Sequence, residues 1–104
     1  MHDGEAAARE AIARAQRHAN EEWKAIAIRS VRWVSSQHEE FTTDHVWGAI
    51  ETYYPKAHTH ENRAMGAVMR KAAKLGICII TDRTVKTTRV KAHRRPIRIW
   101  RTVT

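Results

Sequence analysis

The hydrophobic periodicity of this chain changes once, at Gly76, and that change limits most of what the chain can fold into. Before Gly76 apolar residues recur every three or four positions; after it they cluster or alternate. The clearest stretch is residues 60–75, HENRAMGAVMRKAAKL. At 100° per residue, Met65, Val68, Met69, Ala72 and Leu75 fall on one stripe, and Arg63, Ala67, Arg70 and Lys74 on the opposite one. Lys71 adds a further cation. Gly76 stands where a helix expects its C′ glycine. By itself this is an amphipathic surface helix whose charges are simply solvated. The residues beyond Gly76 favour more than that. Residues 77–81, ICIIT, predict a strand by their β-branched content. Residues 82–96 hold Arg83, Lys86, Arg89, Lys91, Arg94 and Arg95, with no acid after Asp82. In residues 97–101, Ile97, Ile99 and Arg101 point one way and Arg98 and Trp100 the other, which predicts a second strand. The two strands pair as a hairpin whose loop is far longer than a tight turn requires.

Upstream, residues 5–18 are alanine-rich with alternating charge. Helix propensity there is high, but Ile12 is the one large apolar residue, on a thin stripe with Ala8, Ala15 and Ala19. A weakly docked helical arm over residues 1–19 is expected. Asn20 is the expected N-cap of the next helix, with Glu21 and Glu22 in its first turn. That helix, residues 21–36, presents Trp23, Ile26, Ala27, Ser30 and Val34 to a core, with Trp33 beside them. Trp23, Trp33, Trp47 and Trp100 are read as core residues, Trp100 being the exception to watch because its alternation sets it opposite Ile97 and Ile99. Thr42 or Thr43 caps a helix over residues 43–54, which Pro55 stops. A short connection leads to the cationic helix, so the two form a helix-turn-helix pair. A long basic hairpin after a basic helix is the layout of a winged helix. The expected fold is therefore α+β: a winged helix-turn-helix domain over residues 20–104, with three core helices and a two-stranded β-hairpin wing, preceded by the arm.

Charge points to the partner. The chain has 104 residues and a net charge of +8, yet residues 1–55 carry −3 and residues 56–104 carry +11. A field so polarised attracts a polyanion, of which nucleic acid is the commonest; an anionic membrane surface or an acidic protein patch would suit the same composition. No apolar run is long enough to span a membrane, and MHDGEAAARE has no signal-peptide character. Cys78 is the single cysteine, which excludes an intramolecular disulfide and any CxxC metal site and suits a reducing cytosol. Inside ICII it reads as a buried strand residue.

Chemistry other than binding finds little support. His58 and His60 sit in a turn with no second cluster at ligand spacing, so no metal is expected. Glu39 and Glu40 with His38 or His45 flank a helix start, where acids are favoured by the dipole alone. There is no GxSxG elbow and no clustered glycine loop, so neither an enzyme nor a cofactor is expected. The cations do have a use. Arginine presents a planar fork to guanine edges and phosphates, and lysine a point charge to phosphate. Arg63 and Arg70 could span neighbouring base pairs while Lys74, Lys86, Arg89 and Lys91 neutralise backbone. Thr84, Thr87 and Thr88 supply hydroxyls for phosphate, or are plain strand formers. Some six phosphate contacts would give a slope of about −5 in log K against log salt.

Three segments, EFTTDHVWGAI, RAMGAVMRKAAKLGICI and RRPIRIW, resemble the small winged helix-turn-helix proteins of actinobacterial phages and prophages. The likeness covers about residues 39–101. Such proteins include regulators, recombination directionality factors, replication accessories and host-takeover proteins. The resemblance implies a third helix in the major groove, a wing along the backbone or minor groove, groove-facing positions at Arg63, Ala67, Arg70 and Lys74, and a bacterial host cytoplasm. It does not account for residues 55–60 or the alanine-rich arm. The expected partner is double-stranded DNA, bound by a monomer or homodimer in a regulatory or accessory role. The alternative is a winged-helix module that binds a host protein.

Overall fold

The chain runs α1 (Asp3–Gln37), β1 (Glu40–Phe41), α2 (Thr43–Tyr53), α3 (Ala64–Lys74), β2 (Cys78–Lys86) and β3 (Pro96–Thr102). The structure is a computed structural model that describes residues 3–61, 63–90 and 93–103, without the side chain of Asp3. Its class is α+β, with three helices and one three-stranded antiparallel sheet among the described residues.

The expected break at Asn20 does not occur. α1 is one helix of 35 residues, about 52 Å long. Nothing in residues 5–19 interrupts it, because no proline or internal glycine stands there and alanine propagates a helix at least cost. Asn20 is not a cap. It is buried, and its Oδ1 accepts from Thr59 Oγ1 (2.9 Å) and from the His60 N–H (2.7 Å). The arm and the first core helix are therefore one rod, which accounts for a molecule of 58 × 29 × 24 Å. The first half of the rod stands in solvent, with Ile12 60% exposed. The second half buries Trp23, Ala27, Val31 and Val34 against Val46 and Ile50 of α2 and against Val68 and Met69 of α3.

Thr42 caps α2 with extended backbone, its Oγ1 accepting from the Asp44 N–H (3.2 Å). His45 stands where a capping box usually has Glu or Gln, and its Nδ1 accepts from the Thr42 N–H (3.0 Å). α3 starts later than residue 60. Residues 57–61 are held by Asn20 and by a turn in which Thr59 Oγ1 accepts from the Glu61 N–H (3.1 Å). Arg63 is consequently the N-cap, ahead of the helix. At the other end Gly76 takes φ +77. Its N–H reaches the Ala73 carbonyl and the Ile77 N–H the Ala72 carbonyl, each at 3.0 Å, which is a Schellman close. Leu75, read as part of the apolar stripe, is the C-cap and 51% exposed.

Residues 77–81 and 97–101 do pair, but as part of a larger sheet ordered β1-β3-β2. β1 was not expected, since two residues carry no readable period. It places Phe41 against Trp100 on β3, and both are buried. Trp100 is thus core. Between Ile80–Trp100 and Thr84–Arg98 the register shifts, and Thr81 Oγ1 donates to the Ile99 carbonyl (2.6 Å). β2 runs on to Lys86, so the connecting loop spans only residues 87–95, not 82–96. Trp33 departs from expectation too. It is 46% exposed and packs edge-on against Tyr53, ring centroids 5.2 Å apart.

Candidate nucleic-acid interface

α3 buries Ala64, Met65, Val68, Met69 and Ala72 and exposes Arg70, Lys71 and Lys74, so the split into two faces is as the sequence predicts. Arg63 is exposed at its head. Ala67 does not sit in the middle of the open face. It is half-buried and lines a cleft between α3 and α1 that also contains Lys71, Lys24 and Ile28. Arg70 folds back along the helix, and a Cβ placed on Gly66 would lie 3.5 Å from its Nη1.

The hairpin loop is pinned to α2, and this rearranges the basic segment. Asp44, Trp47 and Glu51 lie three and four residues apart, on one face of α2. Asp44 accepts from Thr87 Oγ1 (2.6 Å), from the Thr88 N–H (2.8 Å) and from Thr88 Oγ1 (3.2 Å). Burial alone would raise the Asp44 carboxyl, but these hydrogen bonds, with the nearby Arg89 charge, outweigh it and hold the carboxyl below its ordinary value. Arg89 pairs with Glu51 and lies over the Trp47 ring, 4.7 Å from its centroid. Arg83 pairs with Glu40 of β1.

Several expected phosphate ligands are therefore engaged inside the fold. Thr87 is buried with its hydroxyl on Asp44, and Thr88 shares that carboxylate. Arg83 and Arg89 hold carboxylates. Thr84 is exposed on β2, opposite Arg98. Lys86 is exposed at the end of β2, and Arg94 is exposed in a left-handed turn with His93 (φ 57 and 53). Arg95 is exposed, and its carbonyl accepts from the Thr87 N–H (2.9 Å). Lys91 lies outside the described residues. A groove of about 770 Å³ is lined by Arg89 and Arg95 of the loop, by Met65 and Gly66 of α3, and by the acids Asp44, Glu51 and Glu61. The helix and the loop are thus brought to one groove, with Arg70 folded over Gly66 beside it.

No protein-family model matches this sequence, and neither a curated protein nor a solved structure matches it. The residues must carry the reading alone. Sequence reasoning missed Asp44, Glu51 and Trp47 as the holders of the loop. Their partners lie 38 to 44 residues away, where no local spacing signals a contact. Cys78 is buried, and burial pushes its thiol up to about 11, so it offers no thiolate for chemistry at neutral pH. Among the described residues no group of three or more His, Cys, Asp and Glu comes together as metal ligands, and no helix is long and apolar enough to cross a membrane.

Proposed function

We propose that this chain is a winged helix-turn-helix protein that binds double-stranded DNA, with α3 in the major groove and the β2–β3 hairpin along the backbone. The fold part of the reading is supported by the element order helix, strand, helix, helix, strand, strand, and by a short first strand that joins the hairpin through β3. The DNA part is carried by one observation. Arg63, Arg70, Lys71 and Lys74 are exposed along α3 and make no ion pair among the described residues, while Glu40, Glu51 and Glu61 are each paired with a different cation. Such a row presents donors to base edges and charge to phosphates together. The role is regulatory or accessory, as in the phage proteins that the sequence resembles.

The test is a fluorescence-anisotropy titration with random-sequence duplex at two salt concentrations. Binding at low salt that weakens as salt rises is expected. A flat salt response, or no binding at low salt, removes the reading. A host-protein module is the second reading, and the exposed Trp33–Tyr53 pair favours it. That reading predicts that substituting Trp33, rather than Arg70, abolishes function.

A further inference from the structure

A surface away from α3, which includes the Trp33–Tyr53 pair, is apolar and open among the described residues. Along α1, two cavities of 430 and 410 Å³ that share Tyr54 form one apolar groove between α1 and the end of α2. Ala19, Ile26 and Trp33 line its α1 side, and Tyr53 and Tyr54 stand opposite. At 100° per residue those α1 residues lie on the same side of the rod as Ile12, which is 60% exposed in the free half. The cleft that seats α3 lies on the other side, at Lys24 and Ile28.

We infer that the groove is filled by the free half of α1 from a second copy of this chain, antiparallel, about a two-fold axis at Ala19. The inference goes beyond DNA binding and does not rest on it. Length agrees first. The groove runs from Ala19 to Trp33, about 21 Å, and the helix from residue 5 to residue 19 is equally long. An axis at Ala19 sets Ile12 of each copy against Ile26 of the other, closing the exposed apolar residue into the apolar groove.

Charge chooses the direction. Residues 3–10 hold Asp3, Glu5 and Glu10 against Arg9, a balance of −2. Residues 28–35, which they would face, hold Arg29 and Arg32, a balance of +2. Residues 14–17 hold Arg14 and Arg17, +2, and face residues 21–24, where Glu21 and Glu22 outweigh Lys24 by −1. A parallel helix in the same groove would set residues 3–10 against residues 17–24, whose charges sum to zero, and Arg14 and Arg17 against Arg29, so it loses the attraction. The antiparallel pair also leaves both α3 helices facing outward, on the far sides of the two rods.

Sedimentation velocity of the full chain over a concentration series tests this. The wild type should approach twice the 12.0 kDa monomer mass as concentration rises. Ile12→Glu should weaken the dimer by about tenfold or more, with helix content by circular dichroism unchanged. Ala19→Cys should form a covalent dimer on oxidation. Antiparallel helices at ordinary packing distance bring the two Cα atoms at the axis to about 5 Å, within disulfide reach, and Cys78 is buried. A wild type that stays monomeric throughout overturns the inference. So does a dimer indifferent to Ile12→Glu, or an Ala19→Cys chain that does not cross-link. Loss of duplex binding alone leaves it standing.

Discussion

Arg70 and Arg89 are alike in the sequence and opposite in their surroundings. Arg70 is exposed on α3 with no ion pair among the described residues; Arg89 is half-buried, on the Trp47 ring and paired with Glu51. Arg70→Ala should therefore cost about 1–3 kcal/mol of binding on a preferred duplex, little on random duplex, and nothing in stability. Arg89→Ala should do the reverse, lowering stability by about 1 kcal/mol through the lost cation–π and ion-pair contacts while leaving the salt dependence of binding almost unchanged. Paired titrations and urea melts of the two variants check both halves. If Arg89→Ala lowers DNA affinity as a phosphate ligand does, with the fold unaffected, its assignment to the α2 contact is wrong. From sequence alone both arginines read as DNA ligands, because charge is visible in a sequence and the partner of a charge is not.

At the scale of elements, one face of α2 holds the hairpin loop through Asp44. Its folded carboxyl is depressed below the unfolded value, so its contribution to stability is complete above the unfolded pKa and is lost as pH falls through the lowered folded one. Asp44→Ala should cost about 2 kcal/mol at neutral pH, where hydrogen bonds to a charged acceptor are lost. It should cost much less in strong acid, where the wild-type carboxyl is itself protonated. Urea melts at pH 7 and at successively lower pH measure the difference; a cost that never falls as the pH is lowered would show that the charge does not matter. A second joint lies between α1 and the α2–α3 connection. Asn20 accepts from both Thr59 and His60, so Asn20→Ala should destabilise by about 1–3 kcal/mol. In a double-mutant cycle with Thr59→Ala the effects should fall short of additivity. An Asn20 acting only as the cap of a separate helix would give additive effects. The boundary expected at Asn20 failed for this reason: an asparagine in a helical sequence suits a cap, but here it serves a long-range hydrogen bond that no local pattern reveals.

For the whole molecule, the pairing of acids with arginines lowers the expected salt dependence. Taking Arg83 and Arg89 out of the roughly six phosphate contacts leaves about four, for which Lys71, Lys74, Lys86 and Arg94 are exposed candidates without an ion pair among the described residues; Lys91 lies outside them. About four contacts give a slope near −4 in log K against log salt, in place of about −5. Anisotropy titrations across a salt series read it directly, and a slope steeper than about −6 would mean that the paired arginines release their carboxylates on binding. The α+β class, the capped start of α2, the glycine close of α3 and the two faces of that helix were legible, since each depends on residues within a turn or two of one another. Three features were not. They are the single rod of α1, the β1 strand that makes Trp100 core, and the seating of Thr87, Thr88 and Arg89 on α2. Each depends on contacts between residues far apart in the chain. The sequence by itself determined the capped start of α2, the glycine close of α3, and how charge divides between the two halves, because capping, periodicity and composition are local. Only the tertiary structure decided which of those charges remain open to a partner, because a carboxylate that folding brings beside a cation neutralises it from any distance along the chain.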